Sequence, residues 1–557
     1  MKRTRNAVVS ALVVLVGALA AGVGPASPGV PGLTDSGPAN TKVPGYAPPD
    51  RLSPALVKFA VAQGSMLLEN PTPAVPYYGY DGDGPMLPLP TAPTVEATKT
   101  EPDKNTYLVL SHQRGGDPAY DYGAHFLFQG HEGGAPGYIT RVNLDADVAH
   151  RVTLLATTET TGTPLMTIDG STWDPFAQRL LFSAERGSRG GIYQATLDVP
   201  SKVENLFGSL GRGGYEGVQN DSDGNLWIVE DVGGPTDANS AKRPNSFAYR
   251  FVPDNPGDLT RGKLQALQLT SLLTGGPFAA DTYSADQKDL HTYGRAFATT
   301  WVSIHDTALD GSESFDANAL AKAKGATPFK RPENGQFRPG IGFRQFYFDE
   351  TGDTNALSAA NADFGGWGSL LQLTQASPSA TTGLLTMFYK GDQAHTGFDN
   401  LTFTGANQLA VVEDAGDTLH TQRNALDSGY LFDVRDSYGQ QPDKQPLRFL
   451  AQGRDPSATI DSAIRDITPP VPFKNEGDNE ITGIHTSNGD PGPRGLLGAL
   501  APVQPFDYTS QWRTFYTGQH GDNVTWQLVM RPTSPPRSFP PFPPFPPFPP
   551  FPPFPPH

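Results

Sequence analysis

From Thr106 onward the chain alternates short apolar runs with clusters of Gly, Asp and Asn, as in Tyr107 to Leu110, His125 to Phe128, Tyr138 to Asn143 and Arg151 to Leu155. Short β-rich runs bounded by turn residues predict an antiparallel all-β domain. The most regular unit runs from Tyr215 to Gly234. It has an acidic opening at Glu216, a polar turn at Asp221 to Asn225, and an apolar run, Leu226 to Val229, that stops at Glu230 and Asp231. The run reads as a buried strand. Two carboxylates at its end require pairing, protonation or a cation, because an isolated buried charge is too costly.

This unit has relatives within the chain. Laid without a gap over Phe398 to Asp417, it matches Glu216 with Asp399, Leu226 with Leu409, Glu230 with Glu413 and Asp231 with Asp414. Gly170 to Glu185 forms a third copy with Glu185 at the carboxylate position, Phe346 to Glu350 a looser fourth, and Asn479 to Gly483 with Trp512 to Tyr516 a fifth. Repetition at this spacing predicts a six-bladed β-propeller with helical insertions. The largest insertion, around 272–335, reads as a cap with a helical candidate at Phe315 to Lys324.

The flanks differ in texture. Lys2, Arg3 and Arg5 precede an uncharged run from Ala7 to Val23, so residues 1–26 read as a Sec-type signal peptide and the protein as secreted or extracytoplasmic. No second long apolar run follows, which argues against stable membrane insertion. Residues 27–95 read as a Pro/Gly-rich linker, with a short helix capped by Ser53 and Pro54 ahead of Leu56, Val57, Phe59 and Ala60. The propeller then spans 96–530. Residues 531–557 form a low-complexity tail repeating Phe-Pro-Pro from Phe539 to Pro556. In polyproline II its phenylalanines line one edge, a ligand for an aromatic groove, or it is a disordered repeat expansion.

Composition narrows the chemistry. The chain carries 41 basic and 57 acidic side chains, a formal charge of -16, and no cysteine. Such an acidic surface argues against nucleic acid and is compatible with bound cations. Without cysteine, neither disulfides nor thiolate ligands are available, whereas calcium needs only oxygens. Converging repeat-equivalent acids either hold calcium or pair with Arg and Lys. Asp221, Asp223 and Asn225 have alternating oxygens but no closing Glu, so a hairpin turn is the better reading. Asp81 and Asp83 read as Asp-Gly turns, while His131 and Glu132 are either ligands or a surface turn. The sequence has no nucleophile elbow, phosphate-cradling loop or paired-histidine zinc helix.

Taken together, Gly214-Tyr-Glu-Gly with Trp227-Ile-Val-Glu-Asp, Tyr249-Arg-Phe-Val-Pro-Asp-Asn-Pro-Gly-Asp, Phe329-Lys-Arg-Pro-Glu-Asn-Gly, Asp399-Asn-Leu with Val412-Glu-Asp, and Glu480-Ile-Thr-Gly resemble the PhoX-type alkaline phosphatases. The resemblance covers roughly Glu96 to Gln527. It implies an exported six-bladed propeller whose site holds iron and calcium and hydrolyses small phosphomonoesters. It also implies metal-site acids at Glu185, Glu216, Glu230, Asp231, Glu333, Glu413 and Glu480, while Arg331, just before Pro332 and Glu333, either clamps phosphate or pairs with a neighbouring acid. The family's iron-ligating cysteine falls at Ala184, and its twin-arginine signal is absent. These departures argue against iron (Fe3+) and leave calcium (Ca2+).

The expectation is therefore a calcium-dependent phosphoesterase. The rival is a non-catalytic calcium-binding propeller that recruits a partner through its surface or the Phe-Pro-Pro tail. A third reading is another metal-assisted hydrolysis, such as lactone opening.

Overall fold

The computed structural model describes residues 32–39, 50–81, 98–134, 136–453, 480–506, 511–519 and 523–531. The expected signal peptide, Asp83 and the Phe-Pro-Pro tail lie outside these residues. The described chain is almost entirely antiparallel β, in propeller-like sheets. One four-stranded sheet runs Pro102–Val109, His125–His131, Ile139–Asn143 and Val152–Ala156; the next runs Ser171–Asp174, Arg179–Ala184, Gly191–Ala195 and Val203–Asn205. A nine-stranded sheet then starts at Tyr215–Asn220 and ends at Gly335–Phe337, its two halves joined through the long strand Ala296–Asp306. Two further sheets begin at Phe398–Phe403 and Ile481–Ser487.

The starting strands of these sheets, together with Gly335–Phe337, lie side by side in a closed ring. A strand behind this ring is covered on both faces by neighbouring sheets, which explains the unbroken apolar run at Leu226 to Val229. Side chains alternate along a strand. Leu226 and Ile228 accordingly join one apolar cluster with Tyr249 and Phe251, while Trp227 and Val229 join another with Phe337 and Phe346. The repeat copy behaves alike, with Leu409 and Val411 on one side and Ala410 and Val412 on the other.

Two expectations about the periphery change. The segment expected to be a helix after Ser53 is a strand, Leu56–Ala62, paired antiparallel with Val524–Met530 near the chain's other end. Arg51–Leu52 likewise pairs with Leu447–Ala451. Local capping signals lose here to a long-range edge pairing that satisfies backbone groups and buries Leu56, Val61 and Ala62. In the 272–335 segment the expected helix is present as Ala317–Ala323, capped by Asp316, whose carboxylate accepts the Ala319 N–H at 2.8 Å. The rest includes the helix Ala285–Leu290 and the strand Ala296–Asp306. Asp221 makes a turn as expected, its carboxylate accepting the N–H groups of Asp223 and Asn225 and the Trp227 indole at 2.8 to 3.0 Å.

Trp227 is the hub of its apolar face, with ring centroids 5.2 Å from Trp301 and 5.0 Å from Phe337 and Phe346. Replacing it with alanine removes these contacts and one of the hydrogen bonds to the Asp221 carboxylate. Trp227→Ala is expected to lower stability by about 3–5 kcal/mol, read as a shift of the urea unfolding midpoint.

Candidate functional site

The inner strands open with a repeated irregularity. The pairing register slips between Pro102 and Asn105, Tyr215 and Val218, Phe398 and Leu401, and Thr482 and His485. A bulge of this kind adds a residue and re-aims side chains. The slipped stretches contain Asp103, Glu216 and Asp399, and all three face one cavity at the ring's axis. Asp169 and Glu333, just before the other two inner strands, and Glu480, just before Ile481–Ser487, line it too. A second layer comes from residues just beyond the adjoining strands, namely Glu132, Glu185, Asp231, Asp414 and Gln519. The cavity holds about 460 Å³.

Of the acids expected at a metal site, the structure brings Glu185, Glu216, Asp231, Glu333 and Glu480 together, with Arg331. It does not bring Glu230 or Glu413 there. Glu230 shares strand parity with Leu226 and Ile228, so its carboxylate enters the space between sheets. There it accepts from the Phe247 N–H, the Tyr249 hydroxyl and Asn318 Nδ2. Glu413 is held by Arg423 at 2.9 and 3.0 Å and by the Thr396 and Ser428 N–H groups. Glu350, from the looser copy, likewise pairs with His291 at 2.9 Å. These glutamates tie strand ends together, and the following residue, Asp231 or Asp414, reaches the cavity instead. Of His131 and Glu132, only Glu132 lines the cavity; His131 is buried, bonds Thr140 at 2.9 Å and stacks on Tyr138.

Two groups of acids bring ligand atoms within 4.8 Å of one another: Asp103, Glu132 and Asp169, and Glu216, Glu333 and Asp399. Several of their oxygens are buried without a hydrogen-bond partner, including Asp169 Oδ1, Glu216 Oε2 and Asp399 Oδ2, as is Asp231 Oδ1 beside them. Such a set of oxygens fits a hard cation, calcium above all, and offers no soft ligand. Ala184, next to Glu185, is wholly buried in an apolar cluster.

Without a cation, burial and mutual repulsion hold protons on these groups. Burial, then neighbouring acids, pushes Glu132 up to about 8 and Glu333 to about 7. Burial raises Asp103 to about 6, and burial with Asp427 nearby raises Asp414 to about 6. Asp169, Glu185, Glu216, Asp399 and Glu480 rise well above the carboxylate range for the same two reasons.

Two cations are built in. Lys104, 2% exposed, donates to Asn334 Oδ1 at 2.6 Å, and Asn334 donates to Glu216 at 3.3 Å. Burial lowers Lys104 to about 8, opposed by Asp103, Asp349, Asp399 and Glu216. Arg331 sits in left-handed backbone, φ 57°, which is uncommon outside glycine. Its guanidinium lies 2.9 Å from Asp231 and 3.2 Å from Glu333.

The sequence reasoning left out Asp103, Asp169, Asp414, Lys104, His420 and Asp427 as site residues. Asp399 and Asp414 were within reach, since they align with Glu216 and Asp231. Lys104 and His420 carry no repeat signal.

Comparison with known proteins agrees with this picture. A family model described as alkaline phosphatase PhoX matches residues 236–458. The structure of Pseudomonas fluorescens PhoX in complex with vanadate, a transition state analogue, superposes with a TM-score of 0.53 at 12% identity, covering 89% of this chain and 98% of that one. Residues 236–458 are PhoX-like in sequence, and the chain shares the fold of that PhoX structure. A gluconolactonase, XC5397 from Xanthomonas campestris, gives a TM-score of 0.35 at 13% identity, covering 83% of this chain and 99% of that one. No curated protein matches the sequence. Among the described residues, no helix is long and apolar enough to cross a membrane.

The carboxylates with raised values bind more protons in the folded state than in the unfolded one. Stability in a chelator is therefore greatest below about pH 4.5 as far as these groups are concerned, and falls as pH rises through about 6 to 8. The expected observation is a melting temperature that drops steadily from pH 5 to pH 8 in EDTA. Added calcium should flatten that dependence.

Proposed function

We propose that this chain is an exported, six-bladed, calcium-dependent phosphoesterase acting on small phosphomonoesters. The nine-stranded sheet counts as two blades sharing the inserted strand Ala296–Asp306, which brings the total to six. The observation that carries the reading is the convergence of buried, unpartnered carboxylate oxygens on one cavity that also holds Arg331. Glu216, Glu333 and Asp399 would hold one calcium ion, and Asp103, Glu132 and Asp169 another. Bound calcium supplies positive charge that polarises a phosphoryl group and offsets charge developing on its oxygens. Arg331 orients the phosphate through its planar fork once it exchanges a carboxylate for the substrate. Asp231 and Glu333 hold that fork at the cavity wall before substrate arrives. Residues 1–26 act as the export signal.

One observation favours a second reading, a non-catalytic calcium-binding module: the Arg331 guanidinium is already bonded to Asp231 and Glu333.

Elemental analysis of the purified protein, paired with an assay on 4-nitrophenyl phosphate with and without calcium, separates the two. Bound calcium with calcium-dependent turnover is expected. Glu216→Gln should lose calcium and at least about 100-fold in kcat/KM, about 2.7 kcal/mol. Glu413→Gln should reduce stability while leaving the calcium content unchanged. Bound calcium without turnover would leave the non-catalytic reading, and stoichiometric iron would overturn the calcium assignment.

A further inference from the structure

The cavity wall contains one group of a different kind. The helix Gly416–Arg423 brings Gly416 and His420 to the cavity, and Asp427, beyond its end, joins them. Leu419 on the same helix packs in an apolar cluster with Trp367 and Ala415, which anchors the helix. His420 is buried, and its Nε2 lies 2.8 Å from Asp427 Oδ2. The other oxygen, Asp427 Oδ1, accepts the Ala415 N–H at 3.0 Å and Arg423 Nη2 at 3.2 Å. Arg423 is in turn locked by Glu413, so the whole assembly is braced from behind the cavity. Asp427 thereby fixes the tautomer and ring plane of His420. Facing the pair are Asp414 from the strand end, Arg423 from the same helix, and Arg331 across the cavity.

Resting on the phosphoesterase reading above, we propose that His420 is the general acid that protonates the leaving alcohol, with Asp427 as its positioning residue. An alkoxide leaving at this wall needs a proton, and an imidazolium backed by a carboxylate supplies one. The bond from a water oxygen to phosphorus forms as the bond from phosphorus to the ester oxygen breaks. That ester oxygen takes the Nδ1 proton of His420 and leaves as the alcohol. The proton of the attacking water passes to a cavity carboxylate and then to solvent, and His420 regains its proton from solvent.

Leaving-group dependence tests this, because an alkyl alcohol needs protonation and 4-nitrophenolate barely does. The calcium-loaded protein and His420→Asn are compared on 4-nitrophenyl phosphate and on glycerol 2-phosphate, with bound calcium measured in each. His420→Asn is expected to slow the alkyl ester by about 10²–10⁴-fold, at least tenfold more than the aryl ester, with calcium retained. Asp427→Asn should move the alkaline limb of kcat for the alkyl ester to lower pH, since the imidazolium loses its counter-charge. Equal losses on both esters, no loss, loss of calcium in His420→Asn, or an unmoved alkaline limb in Asp427→Asn would each overturn the proposal. Failure of the unaltered protein to hydrolyse either ester would instead remove the phosphoesterase reading on which it rests.

Discussion

Buried carboxylates repel one another strongly in a medium of low polarisability, and here they are crowded where the inner strands meet. Every strand that closes the ring brings another acid, so closing the fold and concentrating negative charge are one event. The molecule answers in three ways. Protons stay on Glu132, Glu333 and their neighbours at pH values where free carboxylic acids would be ionised. Lys104 places an ammonium among the inner acids, and Arg331 bridges Asp231 to Glu333. Oxygens such as Glu216 Oε2 and Asp399 Oδ2 still remain without a partner, which is the capacity a hard cation takes up.

That arrangement depends on two layers with separate duties. Glu230, Glu350 and Glu413 end their strands pointing between sheets, where backbone N–H groups and nearby side chains bond to them. They hold the strand ends against neighbouring segments. The cavity is lined instead by Asp231 and Asp414, which follow two of these strands, and by the acid at the start of each inner strand. The Arg423 bridge joins the layers, since one guanidinium braces structural Glu413 and also Asp427 at the cavity wall. A change at a structural glutamate therefore reaches the site through position rather than through ligation.

Much of the architecture was legible along the chain. Short apolar runs between turn residues, the repeat of Tyr215 to Gly234 at Phe398 to Asp417, and acids recurring at fixed places in it all follow from local pattern, because strand alternation and turn chemistry are local. The helix expected after Ser53 shows the boundary of that legibility. Its cap signals are genuine, but the partner that makes the segment a strand lies near the opposite end of the chain. Lys104, His420 and Asp427 were hidden for a related reason: each belongs to a single blade or loop, and nothing repeats them.

What the sequence determined by itself was the β class, the repeated unit, the lack of thiolate ligands and the presence of an acid at each repeat position. Which acid of each Glu-Asp pair serves the site was decided only by the tertiary structure. Adjacent residues on a strand face opposite ways, and a one-residue bulge reverses which way that is. Glu230 and Glu413 are thereby assigned to the seams between sheets, and Glu216, Asp231, Asp399 and Asp414 to the cavity.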